Sequence, residues 1–139
     1  MPRLLVEADG GSRGNPGIAA GGAVVIDASD GLVLAEIGVY VGHASNNVAE
    51  YNGMIAGLTR AFEMFPEAEV IVRMDSKLVV EQMMGRWKIK HPDMATLARQ
   101  ARELIGTRTV LFEWVPREEN KLADRMANES MDAQASFVR

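Results

Sequence analysis

Residues 4–17, Leu-Leu-Val-Glu-Ala-Asp-Gly-Gly-Ser-Arg-Gly-Asn-Pro-Gly, constrain the fold more than any other stretch of the chain. An apolar run of strand length reaches Asp9 and gives way at once to small and turn-forming residues. Gly10, Gly11, Gly14 and Gly17 carry no Cβ, so another segment or a ligand can approach the backbone closely there. Asn15-Pro16-Gly17 signals a turn. A lone carboxylate at a strand end, beside an open glycine loop, suits a divalent cation next to a phosphate ester. A plain β-turn with Asp9 bonded to the loop amides accounts for the same residues. The functional reading therefore depends on whether further isolated carboxylates occupy comparable places.

Three do. Residues 4–9, 20–27 and 32–41 read as strands joined by short loops, with Gly31 in the second connection, which predicts an antiparallel meander. The period then changes. Over residues 46–65, Tyr51, Met54, Ile55, Leu58, Ala61, Phe62 and Phe65 recur at helical spacing, with Ser45 or Asn46 as cap and Pro66 as stop. Glu50 lies on the flank of that apolar face, one turn from the start, where a solvated acidic residue is also ordinary. Residues 70–75 form a strand that again ends on Asp, and Asp75 serves equally as N-cap of the helix that follows. Residues 86–91, Arg-Trp-Lys-Ile-Lys-His, alternate basic and apolar side chains around Trp87. That pattern either grips a nucleic-acid backbone or packs Trp87 into a core groove. Pro92 opens a helix that Gly106 closes, residues 110–115 form a fifth strand, and a last helix begins near Lys121. Asp124 sits near its start, away from Met126, so packing does not explain it. The order β-β-β-α-β-α-α-β-α predicts an α/β domain with a five-stranded mixed sheet, a three-strand antiparallel meander plus two parallel strands, flanked by helices. Asp9 and Asp75 then fall at the same sheet edge, where open α/β sheets bind ligands, and Glu50 and Asp124 near helix starts that can face it.

The 139 residues suit a single domain, with 47% hydrophobic residues for a core. With no cysteine, disulfides and thiolate metal sites are excluded. No apolar run reaches membrane-spanning length and no signal peptide is visible, so no membrane association and a cytoplasmic location are expected. A monomer is expected too, because no apolar stripe is left over once the helices pack. The net charge of −4 argues weakly against a nucleic-acid partner, but it is unevenly spread. Residues 73–108 carry eight Lys/Arg against four Asp/Glu, whereas residues 1–72 carry three against nine. A basic middle third can meet phosphates while the whole stays acidic.

Four like charges brought together are costly unless cations lie among them. Oxygen-only ligands select hard ions such as Mg²⁺ or Mn²⁺, and two ions about 4 Å apart can clamp the attacking and leaving oxygens of a phosphodiester. The motifs Asp9-Gly-Gly-Ser-x-Gly-Asn-Pro-Gly, Asn46-Asn47-x-Ala-Glu50-Tyr, Asp75-Ser76 and Asn120-x-x-Ala-Asp124 resemble, in order and over nearly the whole chain, those of type 1 ribonuclease H. The resemblance implies a ribonuclease H-like catalytic domain over residues 1–139. It implies an endonuclease that hydrolyses the RNA strand of RNA/DNA hybrids with two Mg²⁺ or Mn²⁺ ions, leaving 5′-phosphate and 3′-hydroxyl ends with little sequence preference. Asp9 is then the ligand shared by both ions, Glu50 and Asp75 serve the leaving-group side, and Asp124 serves the side of the attacking water. Gly11, Asn15, Asn46 and Asn47 match positions that read the 2′-hydroxyl, Ser45 one that holds a DNA-strand phosphate, and Trp87 an aromatic lying along the DNA sugars.

Two departures from the family pattern stand out. The loop before Asp124 is short and holds no histidine, leaving Arg117 or Glu118 as substitutes, while His43 and His91 read as surface or packing residues. The additional basic helix of many members is absent, and Arg86, Lys88 and Lys90 are expected to do a reduced version of its work. This short-loop form resembles a branch that can be fused to a second enzyme domain, so the chain could be the N-terminal part of a longer protein. The competing expectations are a catalytically weak hybrid-binding domain, a DNA-directed nuclease or transferase of the same fold, and a structural cation-binding module.

Overall fold

The computed structural model describes residues 2–139. Six strands form one sheet in the order β5-β4-β1-β2-β3-β6. The meander is β1 (Arg3–Arg13), β2 (Gly17–Asp27) and β3 (Val33–Ala44), paired antiparallel. Helix α1 (Asn46–Met64) crosses to β4 (Glu69–Met74), which lies parallel to β1. Helices α2 (Lys77–Met83) and α3 (Pro92–Ile105) lead to β5 (Val110–Trp114), parallel to β4. Helix α4 (Lys121–Ala133) and β6 (Phe137–Val138) complete the chain.

The alternation along β1 divides the core into two layers. Leu4, Val6 and Ala8 point to one face, where they pack with Ala23, Val25, Tyr51, Met54 and Leu58 under α1. Leu5 points to the other, where Val24, Ile26 and Met126 lie under α4. Side chains two apart along a strand share a face, so Glu7 and Asp9 belong to the α4 side. Ser45 caps α1, its Oγ accepting from Val48 N at 3.3 Å, and Ser76 caps α2 in the same way through Val79 N at 3.2 Å. The cap of α2 is therefore Ser76 and not Asp75, which leaves the Asp75 carboxylate free for another role.

Two expectations need correction. The sheet has six strands where five were predicted. The extra strand, β6, is only two residues long, pairing Ile37 with Val138 and Gly38 with Phe137. So short an element shows no periodicity in sequence. The second correction concerns Gly10 and Gly11. They do not form an open loop but continue β1 as far as Arg13, and β2 starts correspondingly early at Gly17. The missing side chains serve close packing at that point. The turn proper is residues 14–16, where the Asn15–Pro16 peptide is cis.

Among the described residues no helix is long and apolar enough to cross a membrane.

Candidate active site

Asp9 lies level with Gly22 of β2, and the parallel register of β1 with β4 sets Glu7 level with Arg73. Continued by two residues, that register puts Asp75 beside Asp9 at the C-terminal edge of the two central parallel strands. The other two carboxylates arrive on helices, and glycines decide how near they come. A Cβ on Gly10 would overlap the backbone of Ala49 and Glu50. Its absence lets the first turns of α1 lie directly on β1 and carries Glu50 to the edge. A Cβ on Gly22 would likewise overlap Ala123 O and Ala127 N, so α4 is seated on β2 backbone to backbone, with Asp124 between the two contact points.

The result is one pocket of about 360 Å³ whose lining includes Asp9, Glu50, Asp75 and Asp124, together with Gly11, Asn46, Arg117 and Asn128. Asp9 is only 9% exposed. Burial is the main cause that pushes its carboxyl up to about 8, with Asp75, Asp124 and Glu50 adding repulsion and the Gly10 amide, 2.8 Å from Oδ1, opposing it. Glu50 is raised to about 7, again mainly by burial, with Asp75 adding to the rise and the nearby Ser76 hydroxyl working against it. Glu50 Oε2 is buried with no hydrogen-bond partner.

Among the described residues no three acidic or histidine side chains close into a ready-made metal cage. The four carboxylates line the same pocket. The donor set nonetheless fits a hard divalent ion. It is all oxygen, and it includes an unpartnered buried carboxylate oxygen.

Asn120 has a part that spacing alone did not disclose. It is 1% exposed, and its Nδ2 donates both to Ala8 O at 2.8 Å and to Asp75 Oδ1 at 2.7 Å. It thereby ties the loop before α4 to β1 and orients Asp75. Its place in the Asn-x-x-Ala-Asp motif was visible, but its partners lie 112 and 45 residues away. Arg73 braces the same loop from β4, reaching Glu7 at 3.7 Å, Glu113 at 3.4 Å and Glu119 at 3.9 Å.

Of the remaining sequence-derived substrate positions, Gly11 and Asn46 line this pocket and the others do not. Asn46 Oδ1 accepts from Ser12 N at 2.7 Å, and Asn15 Oδ1 accepts from Asn46 N at 3.0 Å, so Asn15 and Asn46 clasp the β1–β2 turn to the start of α1. Asn47 is half-buried beside them. A separate cavity of about 710 Å³ runs from Asn15 and Ser45 past His43 to His91 and Leu97. His91 Nδ1 accepts from Asp93 N and caps α3, and His43 is exposed on β3, so neither stands in the carboxylate pocket. Trp87 is 46% exposed and does not fill a core groove. Lys88 and Lys90 are exposed, whereas Arg86 is paired with Glu81 at 3.4 Å.

A mixed sheet in this strand order, with acidic side chains at the edge of its parallel strands, defines the ribonuclease H-like class of α/β domains. The family described as reverse transcriptase-like matches residues 7–130. The bifunctional protein Rv2228c of Mycobacterium tuberculosis is 56% identical over 134 residues, which are 96% of this chain and 36% of that protein. The chain thus spans about a third of the length of that curated relative. The N-terminal RNase H domain of Rv2228c, solved as a fusion with maltose-binding protein, superposes with a TM-score of 0.90 at 55% identity and covers 96% of each chain. RNase H1 of Halobacterium salinarum gives 0.89 at 40% identity, covering 94% of this chain and 98% of that one. LC11-RNase H1, solved in complex with an RNA/DNA hybrid, gives 0.88 at 37%, covering 95% and 99%. The chain belongs to the reverse transcriptase-like family and to the type 1 ribonuclease H family.

Proposed function

We propose that residues 1–139 act as one catalytic domain that hydrolyses the RNA strand of RNA/DNA hybrids, with little sequence preference, leaving 3′-hydroxyl and 5′-phosphate ends. The observation that carries this reading is the convergence of four carboxylates from β1, α1, the end of β4 and α4 into one pocket. The complex of LC11-RNase H1 with a hybrid supports the choice of substrate. Asp9, Glu50, Asp75 and Asp124 would hold two Mg²⁺ or Mn²⁺ ions. When bound, such ions supply Lewis-acid charge for the phosphate and lower the pKa of a coordinated water.

The chain's own groups do the selecting and positioning. Gly11 and Asn46 line the carboxylate pocket and Asn15 is bonded to Asn46, so these three, with Asn47, would read the 2′-hydroxyl that only RNA presents. Ser45 and the cavity beyond it suit a phosphate of the DNA strand. Trp87, with Lys88, Lys90 and the partly neutralised Arg86, offers an exposed aromatic face and positive charge to the sugars and phosphates further on. These contacts sense helix form and backbone, which is why base sequence matters little. Asn120 holds Asp75 in the orientation the pocket requires.

A labelled hybrid, a DNA duplex and an RNA duplex, each incubated with Mg²⁺ or Mn²⁺, test this directly. Only the RNA of the hybrid should be cut, and chelator or Asp75→Asn should abolish the cutting. Cleavage of the DNA duplex, or full activity in Asp75→Asn, would refute the assignment.

A further inference from the structure

A second cavity, of about 650 Å³, opens from the carboxylate pocket, and Arg117, Asp124 and Asn128 line both. Its other lining residues are Glu118, Lys121 and Arg125. Lys121 and Arg125 are one helical turn apart on α4 and so lie on the same side of it, with Asp124 next to them. Arg117 comes from the short loop just before that helix. All three cations are exposed. Among the described residues none of them has an ion-pair partner or donates a side-chain hydrogen bond. Several other cations of this chain are committed: Arg13 to Asp132, Arg73 to three glutamates, Lys77 and Arg86 to Glu81.

We propose that Arg117, Lys121 and Arg125 form an anion groove that holds an RNA-strand phosphate next to the one being cut. The groove shares Arg117, Asp124 and Asn128 with the carboxylate pocket, so a strand whose scissile phosphate lies over Asp9 and Asp124 can pass into it. Guanidinium groups match phosphate oxygens in a two-point contact, and the Lys121 ammonium adds a point charge. It lies on the α4 flank, apart from the Trp87 segment that follows α2. The two basic surfaces would grip the substrate on separate sides of the cut. The inference rests on the hybrid-cutting reading above.

The test compares wild-type protein with the double variant Lys121→Gln, Arg125→Gln, measuring KM and kcat on a hybrid across a salt series. Arg3→Glu, at the far end of β1, controls for net charge. The double variant should raise KM about tenfold at low salt and flatten the dependence of log KM on log salt by about one contact or more, with kcat within about twofold. A hybrid with one neutral methylphosphonate in the RNA strand, adjoining the cut, should cost wild type the same factor and cost the double variant nothing more. That second arm needs only wild type if the variant folds poorly. Unchanged KM and salt slope, a methylphosphonate effect in the DNA strand instead, or a fall in kcat alone would overturn the groove. A wild-type protein that leaves the hybrid intact would overturn the hybrid-cutting reading itself.

Discussion

Asp9 is the residue on which the chemistry of the pocket converges. Its carboxyl is raised to about 8 from an ordinary 3.8, and Glu50 to about 7 from 4.5. An acid whose pKa is raised by folding binds its proton more tightly in the native state than in the unfolded chain. Between about pH 4 and pH 8 the native state then holds more protons, and stability falls as pH rises. In metal-free buffer the protein should lose stability steadily over that window. Mg²⁺ or Mn²⁺ should restore it, with the larger gain at the alkaline end, where the carboxylates are charged. Asp9→Asn removes the like charge, so it should be more stable than wild type without metal, by on the order of 1–3 kcal/mol near pH 8. It should also lose most of the metal-dependent rise in Tm. Thermal melts at several pH values, with and without cation, measure both effects. A stability that climbs toward pH 8 in chelator would contradict the electrostatic account of the pocket.

At the scale of elements, the sheet and two helices meet without side chains between them. Gly10 against α1 and Gly22 against α4 let Glu50 and Asp124 approach Asp9. Gly10→Ala should therefore cost about 1–3 kcal/mol of stability, since the added carbon meets backbone that cannot turn aside as a side chain would. It should also lower kcat much more than it raises KM, because Glu50 is displaced while the Trp87 segment is untouched. Tm and steady-state kinetics on the same preparation check this. The role of Gly10 shows why part of the site was not legible in sequence. Its lack of a side chain was plain and suggested close approach, but a loop and a continuing strand make the same demand. Only the packing of α1 on β1 decides between them. The cap at Ser45 was more readable, as one of two candidates directly before a helical period, whereas for α2 the sequence offered Asp75 and the cap is Ser76.

For the whole molecule, the meander, the crossovers and the position of every long helix follow from periodicity and turn residues. The four carboxylates stood out because each breaks an apolar pattern, Asp75 just past the end of β4, Glu50 and Asp124 near the starts of helices, and Asp9 inside β1, two residues beyond its last pair with β4. What sequence withheld depends on pairings between distant segments. Strand β6 is too short to carry a period. The Asn120 bridge joins residues 8, 75 and 120, and the Arg117–Lys121–Arg125 groove exists only once the short loop and α4 lie beside the pocket. The motif that resembles the family marked Asn120 without giving its partners. The charge division along the chain drew attention to the basic middle third, whereas residues 109–139 carry four Lys/Arg against six Asp/Glu, so Arg117, Lys121 and Arg125 were not singled out as a group.

The central claim is that side chains from opposite ends of the polymer gather at one sheet edge to hold divalent cations. Anomalous scattering from a crystal soaked in manganese measures this most directly. Two peaks are predicted, both bordered by Asp9, with Glu50, Asp75 and Asp124 around them and Asn120 still bonded to Asp75. A map with no manganese among these four carboxylates would contradict the claim.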